Sequence, residues 1–212
     1  MKKTILLLIL IITMTTGWAI KAEAVDNIMT TFESLYPGFE SASIVIPAGY
    51  GGFTWGSSTK GITKNYYSVS GYNTGITGNV GITSRSAGQP VDLIMQSATP
   101  FTFRAADITA AWNLNETVTV EGWRSGALVY TQDIVTSWND PQHRFEFGYM
   151  AVDEVRFKSL PMDGTDADLA ASGAYIAVDN IQVPEPSSFL ILASALLGMI
   201  FLGGRLKLKE SC

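Results

Sequence analysis

Cysteine is almost missing from this chain: there is one in 212 residues, Cys212. A segment without cysteine pairs has no disulfide framework, so any domain here must stand on a packed core or on a metal. Histidine is as scarce, with His143 alone in a turn-like Asp140-Pro141-Gln142-His143, which leaves His-rich metal sites and Ser-His or Cys-His pairs almost nothing to work with. Basic charge is also thin. Residues 25–182 hold eight Lys and Arg against sixteen Asp and Glu, a balance near −8. A nucleic-acid footprint needs a basic stripe, and this is the reverse. Gly122-Trp123-Arg124-Ser125-Gly126 lacks the Gly-x-Ser-x-Gly spacing of a nucleophile elbow. Gly56-Ser57-Ser58-Thr59-Lys60-Gly61 lacks that of a phosphate loop. No catalytic constellation emerges, and the chain is expected to be non-enzymatic.

Sustained helical periodicity is absent from residues 25–182 as well; what the segment has is strand signal. Ser43-Ile44-Val45-Ile46 is a β-branched run stopped by Pro47, and Phe53-Thr54-Trp55 leaves a glycine-rich turn. Apolar and polar residues alternate in Thr117–Glu121, Ala127–Gln132 and Arg144–Phe147, the period of half-buried strands. Ser125-Gly126 joins the first two as a hairpin turn. Val152–Phe157 and Ala174–Ile181 add two more. Short strands with turns every ten residues or so read as an all-β, antiparallel β-sandwich of jelly-roll type. No fixed-period repeat is visible, which disfavours propellers and solenoids.

The ends carry different signals. Lys2 and Lys3 precede an apolar run from Thr4 to Trp18, and Ala22 and Ala24 supply the small residues of a cleavage site. Residues 1–24 therefore read as a secretory signal peptide. At the other end Val183-Pro184-Glu185-Pro186-Ser187 is followed by the apolar run Phe189–Leu202 and a tail with Arg205, Lys207 and Lys209. That run is shorter than the roughly 20 residues of a comfortable membrane helix. Flanking glycines, leucines and snorkelling lysines extend it enough to span, with the basic end on the cytoplasmic side. Proline triplet, helix and basic tail in this order resemble the PEP-CTERM sorting domain over residues 183–212. The resemblance implies Pro184, Glu185 and Pro186 as the recognition triplet of an exosortase-type processing enzyme. It also implies membrane anchoring before processing, and a final place in the envelope or extracellular matrix of a polysaccharide-producing Gram-negative bacterium. Here leucines interleave with the lysines where the family shows an arginine run.

Residues 25–182 also resemble carbohydrate-binding-module-like jelly rolls, in Ile46–Trp55, in Ala98–Phe103 leading to Trp112-Asn113, and in Ala177–Ile181. Jelly rolls often set first and last strands side by side, and the resemblance thereby implies a structural Ca²⁺ site joining Glu33 to Asp179 and Asn180, hard oxygen donors that suit the ion. The alternative is that Glu33 faces solvent and Asp179-Asn180 forms a strand-end turn. Asp163, Asp166 and Asp168 lack the spacing of an EF-hand loop and read as solvated acids. Tyr50, Trp55, Tyr66, Tyr67 and Tyr72 lie in the glycine-rich half, where loops present aromatic faces for sugar stacking. Trp112, Trp123 and Trp138 are expected in the core. These features point to an exported protein that binds or organises extracellular polysaccharide. A structural or adhesive matrix protein is the alternative, and a secreted hydrolase ranks behind both.

Overall fold

The computed structural model describes residues 27–36, 38, 40–84, 91–140, 144–159 and 174–184. Both sorting segments lie outside this set, apart from Val183 and Pro184, as do His143 and Asp163, Asp166 and Asp168. No helix among the described residues is long and apolar enough to cross a membrane.

Among the described residues ten strands make the fold: β1 (Asn27–Thr30), β2 (Ser43–Val45), β3 (Thr54–Trp55), β4 (Thr59–Thr63), β5 (Val80–Ser84), β6 (Val91–Ala110), β7 (Glu116–Arg124), β8 (Ala127–Thr136), β9 (Arg144–Ser159) and β10 (Ile176–Pro184). Their order is β2-β4-β5-β10-β6-β9-β7-β8, with β1 also on β10 and β3 also on β6. Each strand pair is antiparallel. The one α-helix among the described residues is α1 (Gly71–Gly75).

Two long strands knit the fold. The first part of β6 pairs residues 91–96 with 159–154 of β9, and the second pairs 101–107 with 152–144. Between them the register slips, with Gln96 opposite Glu154 and Phe101 opposite Val152. Pro100 falls in this bulge, where a residue without an N–H costs the ladder nothing. Strands β7 and β3 join the first part, and β10 joins the second. Val80 and Ile82 of β5 share one core with Val118 and Val120 of β7 and Ile134 of β8, although these strands stand far apart in the order. The sheet must therefore close over its own inner face, an all-β arrangement consistent with a β-sandwich.

Sequence and register agree most plainly at β7–β8. Val118 and Val120 point inward while Thr117 and Thr119 are the more exposed, as a period of two demands. The turn between the strands places Ser125 at φ 50° and Gly126 at φ 78°, the left-handed pair of a type I′ hairpin. Phe103 is fully buried among other rings, its centroid 4.9 Å from that of Phe147 and 5.7 Å from that of Phe157. Fully burying such a ring contributes roughly 1.5–3 kcal/mol.

A smaller cluster sits beside this core: Ile62, Tyr72, Ile76, Ala111 and Ala177. It is held by α1, which lies against the end of β6. Gly71 N–H donates to Ala111 O at 2.8 Å, and a Cβ on Gly71 would overlap the Ala110 carbonyl, whose carbon it would approach to 2.7 Å. Only glycine permits that approach.

Candidate functional site

On β4, residues two apart share a face, so Lys60 and Ile62 project together. Lys60 is paired with Thr83 of β5, and Ile62 with Ser43 of β2. With Ser84 these residues line a cavity of about 270 Å³. The rest of its lining is aromatic: Tyr66, Tyr67, Tyr72, Trp112 and Tyr175.

The rings brace one another edge to face, with Tyr66–Tyr67 centroids 4.7 Å apart, Tyr67–Trp112 4.8 Å and Tyr72–Trp112 5.9 Å. Such contacts each add about 0.5–1.5 kcal/mol beyond area burial and fix the ring planes. Tyr72 is buried, with its hydroxyl 3.3 Å from Thr83 Oγ1, and burial raises its phenol well above the usual range. Tyr67, in contrast, is 48% exposed. The cavity thus offers rigid apolar ring faces and edges opposite hydroxyls and one ammonium, and no carboxylate lines it.

Of the aromatic residues expected to bind ligand, Tyr66, Tyr67 and Tyr72 come together here; Tyr50 and Trp55 do not. Tyr50 stacks on Phe32 at 5.8 Å and its hydroxyl hydrogen-bonds Ser34 Oγ and donates to Thr31 O, while Trp55 Nε1 donates to Tyr50 O at 2.9 Å. Both brace the main core. Trp112, expected in the core, stands half-buried at the cavity wall. Trp123 instead lies under the Arg156 guanidinium, 4.3 Å from its ring centroid. Lys60, Thr83 and Tyr175 carried no local signal, because the cavity is assembled from residues between 43 and 175 by strand register.

The early and late acids also meet. Glu33 lies in a 3-10 turn after β1, which pairs with β10. Its carboxylate accepts Asn79 N–H at 2.9 Å and Val80 N–H at 3.2 Å. Asp179, on β10, accepts Thr77 N–H at 2.9 Å and Asn180 N–H at 2.8 Å. The two carboxylates therefore grip the same turn from either side. Asn180 is forced to φ 48° where the β6–β10 register shifts, and its amide donates to Thr77 Oγ1 and, at 2.7 Å, to Asp107 Oδ2. Arg144 pairs with Asp107 at 3.3 Å and also donates to Gln182. Burial, with Asp107 and Glu33 nearby, pushes the Asp179 carboxyl up to about 7. Among the described residues no three acidic, His or Cys side chains form a ready metal cluster.

Strand β10 ends at Pro184, which is opposite Asn27 of β1. A proline fits the last rung, where its missing N–H is not needed. Residues 182–207 match the family model of the PEP-CTERM protein-sorting motif. The chain carries a PEP-CTERM sorting motif. It is accordingly an exported, exosortase-processed cell-envelope protein. The motif's first residues, 182–184, are also the last of β10, so the PEP-CTERM segment begins inside the folded domain. Glu185, Pro186 and the basic residues Arg205, Lys207 and Lys209 lie outside the described residues, as do Ala22 and Ala24.

No curated protein matches this chain. Solved structures similar to it include a family 61 carbohydrate-binding module in complex with β-1,4-galactotriose (8% identity, 75% of this chain and 98% of that one, TM-score 0.40). A family 29 carbohydrate-binding module variant is similar at 12% identity, covering 76% and 90%, with TM-score 0.36. A family 4 module is similar at 13% identity, covering 59% and 86%, with TM-score 0.31.

Proposed function

We propose that this PEP-CTERM protein is a non-catalytic envelope or matrix component whose domain, a jelly-roll-type sandwich, binds extracellular polysaccharide in the Tyr67–Trp112 cavity. The carrying observation is the cavity's combination of aromatic and hydroxyl-bearing lining residues. Pyranose rings have apolar C–H faces suited to aromatic contact, and hydroxyls at the rim that Ser43 and Thr83 can bond. Edge-to-face bracing keeps the rings in place before a ligand arrives, which lowers the ordering cost of binding.

The full chain in mild detergent, run by affinity electrophoresis in gels containing the host's own exopolysaccharide, tests this reading. Trp112→Ala and Tyr67→Ala should each weaken retention about tenfold, equivalent to about 1.4 kcal/mol. Tyr50→Phe, away from the cavity, should leave it unchanged. Retention that survives both cavity substitutions, or no retention of the wild type, refutes the reading.

Calcium belongs to the same proposal. Glu33 and Asp179 hold one turn, with Asp107, paired to Arg144, near Asp179, and a divalent ion would relieve the repulsion between Glu33 and Asp179. The donor set of Glu33 and Asp179 oxygens suits Ca²⁺, which would act structurally by fastening the 77–80 turn to β10. A structural or adhesive role is the second reading. It is favoured by β8, which ends the strand order and exposes Leu128, Val129 and Val135 at 43–56%; such an edge is a template for pairing with another chain.

A further inference from the structure

Acids outnumber bases two to one in residues 25–182, so a basic side chain there is expected to find a carboxylate. Four of the eight do so among the described residues: Arg104 and Arg144 pair with Glu146, Arg144 with Asp107, Arg156 with Glu154 and Lys158 with Glu121. Arg124 is held by the carbonyls of Met150 and Ala151. Lys60 and Lys64 are both half-buried with no ion-pair partner among the described residues, and of the two it is Lys60 that lines the cavity beside the aromatic residues.

A half-buried ammonium with no counter-charge among the described residues is placed to gain an ion pair when a ligand brings the anion. We infer that the cavity selects an acidic sugar, a uronic acid or sulfated hexose unit, whose ring lies on Tyr67 and Trp112 and whose anionic group pairs with Lys60. This rests on the polysaccharide reading and narrows it to a substrate class. The ammonium is a compact charge without the planar fork of arginine, so it suits one carboxylate or sulfate per unit and does not discriminate between them by geometry. The acidic surroundings oppose an anionic ligand only at long range. At physiological salt the Debye length is about 8 Å, so distant carboxylates are screened while the contact at Lys60 is not. Glu116, the carboxylate whose field reaches Tyr72, is fully buried and pushed up to about 7, which weakens its opposition.

The test uses the full chain in mild detergent with EDTA, so that calcium cannot bridge protein and polymer. Gels contain polygalacturonate, polyglucuronate, polymannuronate or a sulfated galactan, each beside its carboxyl-reduced or desulfated counterpart. The wild type should bind at least one acidic polymer tenfold or more tightly than its neutral counterpart; which pair responds separates carboxylate from sulfate. Lys60→Gln should weaken that binding about 10- to 100-fold, the range of a charge-assisted hydrogen bond, and weaken binding of the neutral counterpart far less. Lys60→Arg should keep most of it. Equal binding of neutral and acidic polymers, with no effect of Lys60→Gln, overturns this inference and leaves the polysaccharide reading standing. Binding to none of the polymers, acidic or neutral, overturns the inference; the reading itself then stands or falls on the host exopolysaccharide and the Trp112→Ala comparison.

Discussion

Glu116 opens β7 fully buried, with Asn113 Nδ2 donating to Oε2 at 3.0 Å and Ser159 Oγ donating to Oε1. No cation pairs with it among the described contacts, and burial pushes its carboxyl from 4.5 up to about 7 despite both hydrogen bonds. The folded chain therefore holds this proton more tightly than the unfolded chain does. Stability is greatest below the unfolded value, falls as pH rises from about 4.5 to about 7, and is level above that. At about 1.4 kcal/mol per pH unit, the ionised folded form is penalised by about 3 kcal/mol. Asp179 acts in the same direction over 3.8 to about 7.

Glu116→Gln keeps the shape and both partners: the amide oxygen accepts from Asn113, and the NH₂ donates to Ser159 Oγ. It cannot ionise. At pH 4 the variant should melt near the wild type. At pH 8 it should melt higher by roughly 6–12 °C, taking about 2–4 °C per kcal/mol for a chain of this size. Far-UV dichroism of the full chain, melted at pH steps from 4 to 8 in chelator, reads this directly. A variant no more stable than wild type at pH 8 would refute the reasoning. Adding Asp179→Asn should flatten most of the remaining slope.

Gly71→Ala should unseat α1 and destabilise the domain by at least 1–3 kcal/mol, seen as a lower melting temperature and a changed near-UV signal from the tyrosines of the smaller cluster. Millimolar Ca²⁺ added to chelator-treated chain should raise its melting temperature by mass action, whereas Glu33→Gln should largely abolish the rise. An unchanged wild-type melting curve would remove calcium from the account.

Where a local rule decided the outcome, the sequence was legible. Ser125-Gly126 had to turn because the two alternating runs around it could not otherwise share a face, and the left-handed pair sits there. Glu33 and Asp179 came together because first and last strands pair. Strand β6 was harder: Ser97, Thr99 and Pro100 punctuate it like a loop, and only pairing on both flanks carries the strand through. Helix α1, Gly-Tyr-Asn-Thr-Gly, has poor helix formers at both ends and exists because Ala110 and Thr109 give it a seat. Trp112 looked like core because a tryptophan beside a strand usually is. Its place at the cavity depends on Tyr67 and Tyr72, some forty residues earlier in the chain.

The antiparallel pairing of Asn27 with Pro184 has a mechanical consequence. Both termini of the domain leave from the same end of one short ladder, and a pull that separates them peels its rungs in turn, starting at Asn27–Pro184. Under the proposed function, with the chain held through its C-terminal end and a polymer gripped near Trp112, tension would instead run along β10, between β5 and β6, and strain those ladders lengthwise, so that many hydrogen bonds would have to fail together. A domain so loaded would yield between its own ends and resist between tether and ligand.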